Sequence, residues 1–125
     1  MAKHEPLSVE TLRHEVADGR IDTVAVSITD MQGRLQGKRI HAQYFVDEVL
    51  AHATEGCNYL LAVDVDMNTV GGYAMSSWDS GYGDMVMRPD LNTLHRVPWH
   101  PGTVGVLCDV MWEDGSDVVA SPRQV

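Results

Sequence analysis

Residues 21–30, IDTVAVSITD, alternate with period two. Val24, Val26 and Ile28 fall on one face; Thr23, Ala25, Ser27 and Thr29 fall on the other. That pattern predicts a strand with one buried side. Such a strand cannot stand alone, because its apolar row needs a sheet and a cover. The alternation returns at 103–112, where Val104, Val106 and Cys108 oppose Gly105, Leu107 and Asp109.

Other strands follow from the same logic. Asp30-Met31-Gln32-Gly33 reads as a turn, with Gly supplying a positive φ. Residues 34–41 return as a second strand carrying Leu35 and Ile40. Arg34, Lys38 and Arg39 on that arm suit an edge. Residues 57–67, CNYLLAVDVDM, are apolar on both faces in their first half, which predicts a central strand. Residues 84–88 and 93–97 are shorter strands, separated by a Pro89-Asp90 turn. Residues 97–102 form a stiff bend, and residues 113–116 a hairpin turn with Val118-Val119 as a short return.

Two helices interrupt the strands. Val9, Leu12 and Val16 recur at helical spacing after Ser8, a good N-cap, and Leu7, a staple residue. Gly19 is placed to end this helix, and Arg13, Glu15 and Asp18 are expected on its solvated face. Residues 42–53 form the second helix, with a stripe of Phe45, Val46, Val49, Leu50 and His52, and Gly56 as the stop. The fold class is therefore α+β: a mixed sheet of about five strands with one or two packed helices. The organisation expected is an N-terminal helix at 1–20, a sheet domain at 21–120, and a helix start at 121–125, where Ser121 is the N-cap and Pro122 the first helical residue.

A chain of 125 residues, 44% hydrophobic, fits one soluble domain. Its net charge of −9 argues against nucleic acid and against anionic membrane surfaces. No run is long and apolar enough for a membrane span, and MAKHEPLSVE has no leader-like apolar region. The cytoplasm is the expected compartment. Cys57 and Cys108, each in an apolar run, are expected as buried thiols.

The chain shows no complete catalytic set. His4, His14, His41, His52, His95 and His100 have no zinc spacing and are expected at the surface. Asp64 and Asp66 share a strand face, which suits either a hard cation or a solvated strand end. No G-x-S-x-G and no phosphate-binding glycine loop occurs. The exception is residues 68–83, a long polar loop. It offers the hydroxyls of Ser76 and Ser77, the carboxylate of Asp79 and the rings of Trp78 and Tyr82. Loops of that length are usually functional or disordered. Either it completes a pocket built mostly elsewhere, or Trp78 simply packs on the sheet.

Asp84-Met85-Val86, followed by Arg88-Pro89-Asp90 and Thr93, resembles the D-M-x-L-x-P-D-x-x-T run of glutamine synthetases. Ser76-Ser77-Trp78 resembles that family's N-terminal serine pair and tryptophan. Thr29-Asp30 with Gly33 resembles its first hairpin, residues 42–45 its next helix start, and Ser121-Pro122-Arg123 the Pro-Arg opening of its linker. The resemblance covers about residues 21–125. It implies a β-grasp N-terminal domain ahead of a larger catalytic domain. It also implies a homo-oligomeric ring in which the 68–83 loop completes a neighbouring subunit's amine pocket, with Ser76, Ser77, Trp78 and Asp79 as pocket candidates. ATP and Mg2+ or Mn2+ are expected for the full-length enzyme and none for this chain, whose partners would be its own catalytic domain and adjacent subunits. By itself the chain is expected to be inactive.

One departure bears on the substrate. Family members carry Asp-Gly before the serine pair; Ala74-Met75 stands there in this chain. The missing carboxylate disfavours ammonium, and Met suits a bulkier organic amine, polyamines included. The alternative expectation is a stand-alone β-grasp module that binds or regulates without catalysis. An isolated domain is also expected to expose apolar surface meant for its neighbours.

Overall fold

Strand β1 (Thr23–Thr29) forms as its alternation requires, with Val24, Val26 and Ile28 fully buried. The computed structural model describes residues 7–30, 32–57, 84–112, 114–116, 118 and 121–124. Helix α1 (Val9–Ala17) precedes β1, and β2 (Leu35–His41) follows it. A continuous helix comes next, built of α2 (Ala42–Tyr44), a π-helical turn (Phe45–Val49) and α3 (Leu50–His52). Then come β3 (Thr54–Cys57), β4 (Asp84–Pro89), β5 (His95–Arg96) and β6 (Thr103–Met111).

The ladder order is β2-β1-β6-β4-β3, with β5 also on β6. β1 and β6 run parallel, Val24 opposite Val104 and Val26 opposite Val106. A parallel pair needs a long crossover, and every other strand is inserted in sequence between these two. β3 pairs with β4 and β5 with β6 antiparallel, so the sheet is mixed. This is the α+β, β-grasp arrangement, with six strands among the described residues where the sequence predicts about five.

The chain divides into two compact units. The first comprises residues 1–27, 37–53 and 89–108. Its core holds Leu12, Val16, Val24, Val26, Phe45, Val49, Val104 and Val106. Burying Phe45 alone is worth about 1.5–3 kcal/mol. α1 is capped as the sequence predicts: the Thr11 amide donates to Ser8 Oγ at 3.1 Å, Leu7 is buried, and Gly19 has φ +78°. Gly37 is required by close approach, since an added Cβ would land on the Val26 carbonyl oxygen.

The second unit comprises residues 28–36, 54–88 and 109–125. Gly33 at φ +77° turns the first hairpin, and its amide donates to the Asp30 carbonyl at 3.0 Å. Met85 and Met87 on β4 are buried, as are Val110 and Val118. The Trp112 amide donates to the Ser116 carbonyl at 2.8 Å, and the Val118 amide to Val110 at 3.3 Å, forming the expected turn and return.

Several expectations change. Glu15 is buried, at 8% exposure, because two arginines meet it on the side expected to face water. Leu35 is 64% exposed: it lies five residues from buried Ile40, and an odd spacing in a strand puts the two on opposite faces. His52 is exposed and Leu50 only half-buried, because the π turn rotates the apolar stripe. Leu50 N–H donates to the Phe45 carbonyl, an i→i+5 bond. Gly56 does not stop this helix. Ala53 does, at φ 62° and ψ −169°, and Gly56 lies within β3. β3 starts at Thr54 and takes in only Cys57 of the strand predicted over 57–67. Residues 58–67 lie outside the described residues. Ser121-Pro122 opens a single 3-10 turn, Pro122–Gln124.

Candidate functional site

The predicted pocket residues Ser76, Ser77, Trp78 and Asp79 lie outside the described residues, as does the whole of 58–83 with Asp64 and Asp66. What the structure describes is the foundation from which that segment departs. Cys57 on β3 and Asp84 on β4 are Cα partners, the last rung of an antiparallel ladder that begins at Thr54 and Met87. Partners on such a rung lie about 5 Å apart, so Cys57 and Asp84 are held side by side.

The D-M-x-x-R-P-D-x-x-T run is the anchor of this rung. Met85 and Met87 point into the core and carry β4 to Pro89. Asp90 then caps the 3-10 turn Leu91–Thr93, its Oδ1 accepting from the Asn92 amide at 3.1 Å. Thr93 Oγ1 donates to the Asp90 carbonyl at 2.7 Å and accepts from the Leu107 amide at 2.8 Å. One hydroxyl thus ties the turn after β4 to β6. The Asp90 amide adds a bond to the Leu107 carbonyl at 2.8 Å. Thr93 is the threonine of the D-M/P-D/T motif, and its hydroxyl makes both hydrogen bonds at once.

Two buried carboxylates organise the remaining charge. Asp30 is 1% exposed and accepts from the Gln32 and Arg34 amides at 2.9 Å each, from Arg34 Nε at 2.9 Å and from Gln36 Nε2 at 2.8 Å. Burial pushes its carboxyl up, but the bonds from Gln36, Arg34 and Gln32 together outweigh that and hold its pKa below the ordinary value. Glu15 Oε2 lies 2.6 Å from Arg96 Nη2, an ion pair whose angles fall short of a hydrogen bond, and Oε1 lies 3.9 Å from Arg20 Nη1. A third pair joins Arg123 Nε to Asp109 Oδ1 at 3.1 Å, fixing the Pro-Arg segment to β6.

These groups do not make a reaction centre. A shallow hollow of about 260 Å³ is lined by Arg20, Arg96, His100, Thr103 and the Pro98 and Pro101 rings. Glu15 and Asp18 already balance its arginines. His95 is committed locally, its Nδ1 2.8 Å from the Thr93 carbonyl and its ring over Gly105. Among the described residues no three His, Cys, Asp or Glu side chains are grouped to hold a metal ion. Cys108 is a buried thiol, and His14, His41, His52 and His100 are exposed. No helix among the described residues is long and apolar enough to cross a membrane.

No protein-family model matches the chain. Curated proteins do. The chain is 65% identical over 120 residues to gamma-glutamylethanolamide synthetase GlnA4 of Streptomyces coelicolor, covering 96% of this chain and 26% of that protein. It is homologous to the N-terminal domain of glutamine synthetase-like ligases. A glutamate–isopropylamine ligase of a Pseudomonas species is 34% identical over 125 residues, covering all of this chain and 27% of that protein. Human lengsin is 28% identical over 118 residues, covering 91% and 22%. The chain thus spans about a quarter of the length of the curated relatives it matches. Among solved structures, a GmaS–ADP complex superposes with TM-score 0.66 at 21% identity, over 90% of this chain and 23% of that one. A glutamine synthase homologue gives 0.65 at 20%, over 98% and 26%. At those identities the structures speak to the fold alone, and they agree with the β-grasp arrangement.

Proposed function

We propose that this chain is the N-terminal domain of an ATP-dependent ligase that joins the γ-carboxyl of glutamate to an organic amine, small primary amines first among them. The observation that carries the reading is the 65% identity, across 96% of the chain, to a protein named as a γ-glutamylethanolamide synthetase. The isopropylamine ligase points the same way. Ala74-Met75 supports it chemically: a pocket lined by Met rather than carboxylate loses its preference for ammonium and gains apolar contact for an alkyl chain.

In this reading residues 21–120 form the domain, and residues 121–125 begin the linker to a catalytic domain. Residues 68–83 finish the amine side of a neighbouring subunit's site in a homo-oligomeric ring, through Ser76, Ser77, Trp78 and Asp79. ATP with Mg2+ or Mn2+, held by the catalytic domain and not by residues of this chain, would supply the activation of the γ-carboxyl. The part taken by this chain is to shape the pocket and exclude water. The compartment is cytoplasmic.

The test is amine-dependent ADP release by the full-length enzyme that carries this domain, compared with its Ala74→Asp/Met75→Gly variant. The variant gains kcat/KM for ammonium and loses it for ethanolamine. Identical amine profiles for the two proteins would contradict the assignment of these residues to the pocket.

A further inference from the structure

Trp99 is 78% exposed, more than any other large apolar side chain among the described residues. It is not loose, because the turn that carries it is tied at both ends. The His100 amide donates to the Val97 carbonyl at 3.1 Å, the Thr103 amide to the His100 carbonyl at 3.0 Å and the Val97 amide to the Thr103 carbonyl at 3.1 Å. The Gly102 carbonyl accepts from the Asp22 and Thr23 amides at 2.9 and 3.2 Å. Pro98 and Pro101 lock two further φ angles. A tryptophan held out on a rigid turn loses little freedom when it docks, and Trp and Arg are among the side chains that most often anchor protein interfaces.

Beside it lies the hollow of about 260 Å³, walled by the Pro98 and Pro101 rings, Ile21, Arg20 and Arg96. That volume is below the ~300–1,000 Å³ usual for small-molecule pockets and suits a single side chain. Proline rings and guanidinium planes are good partners for an indole face. Both chain neighbours of Trp99, Pro98 and His100, line the hollow, so knob and hollow share one surface, and all of these residues belong to the first compact unit. We propose that this surface is a self-complementary docking site for a second copy of the chain, Trp99 of each copy seating in the hollow of the other. A two-fold contact of this kind satisfies both knobs and both hollows at once. Charge permits it: Arg20 and Arg96 are matched by Asp18 and Glu15, so two copies of a chain with net charge −9 meet here without setting acid against acid. Two indoles of roughly 150–250 Å² each, with the walls they cover, make roughly 600–1,000 Å². That is the low end of specific interfaces, so the dimer is weak by itself and stronger wherever copies are already held together. The contact does not rest on the ligase reading.

The test is sedimentation of the 125-residue chain, with its indole N–H resonances followed by NMR over the same concentrations. The dimer fraction rises from near zero at about 10 µM to about one half near 1 mM, and the Trp99 resonance moves with it. Trp99→Ala weakens association by about tenfold or more and leaves the thermal midpoint within about 2 °C, since the side chain is exposed. Arg20→Gln, which removes a cation from each hollow, weakens it by about fivefold because the contact occurs twice. A chain still monomeric at about 1 mM assigns the surface to another kind of occupant and overturns the proposal. So does a dimer that Trp99→Ala leaves intact, because it runs through another face. A Trp99 resonance that moves while Arg20→Gln changes nothing places the indole outside the hollow and also overturns it.

Discussion

Asp30 and Glu15 are both buried carboxylates, and they are built in opposite ways. Asp30 accepts from Gln32, Arg34 and Gln36, all on its own hairpin. Glu15 gathers Arg20 and Arg96, the second of them from a distant strand. The Asp30 network can form as soon as the turn forms, and its bonds are short and directional. The Glu15 cluster needs α1 and β5 to meet first, and its arginines are 66% and 55% exposed on their side chains. A local, water-excluded network is worth more than its number of bonds suggests, while a pair with exposed partners is worth little.

That contrast can be broken by substitution. Asp30→Ala orphans several donors at once and costs about 3 kcal/mol in urea unfolding, the largest loss expected in the domain. A cost below about 1 kcal/mol would show that the hairpin closes without its carboxylate. The pH dependence sharpens the point. The folded pKa of Asp30 is lowered, so its contribution is fully present above the unfolded value of 3.8 and is lost as pH falls through the folded value. Asp30→Asn therefore flattens the acid limb of the stability–pH curve below about pH 4.

Thr93 is the intermediate case, with one near partner in Asp90 and one distant partner in Leu107. Thr93→Val leaves the Leu107 amide unpaired and costs about 1–2 kcal/mol, while Thr93→Ser restores most of it. Equal losses for Val and Ser would assign the effect to the methyl group. Smallest is Glu15→Gln, at about 1 kcal/mol or less because both arginines are largely solvated. Its cost shrinks further in 1 M salt, whereas that of Asp30→Ala does not. If the two respond to salt alike, the distinction between them fails.

The same distinction decides what was legible in the sequence. Local rules placed the Ser8 cap, the Gly33 turn, the alternation of β1 and β6 and the 113–116 turn, because each is settled within a few residues. Glu15 was read as solvated because nothing near it in sequence announces Arg96. The π turn and Ala53 were missed for a related reason: helical periodicity assumes a uniform turn, and one extra residue moves His52 from the stripe into solvent. Gly56 looked like the natural stop, yet alanine holds the unusual backbone conformation. The candidate site was legible only through the resemblance of the Ser-Ser-Trp and D-M/P-D/T motifs. Of these, the second is seen in its anchoring role, and the first lies outside the described residues.

The most direct measurement is a competition. The full-length enzyme carrying this domain is given ATP, glutamate and equal concentrations of ethanolamine and ammonium, and the products are weighed by mass spectrometry. The account predicts γ-glutamylethanolamide in clear excess. Glutamine as the main product would contradict it.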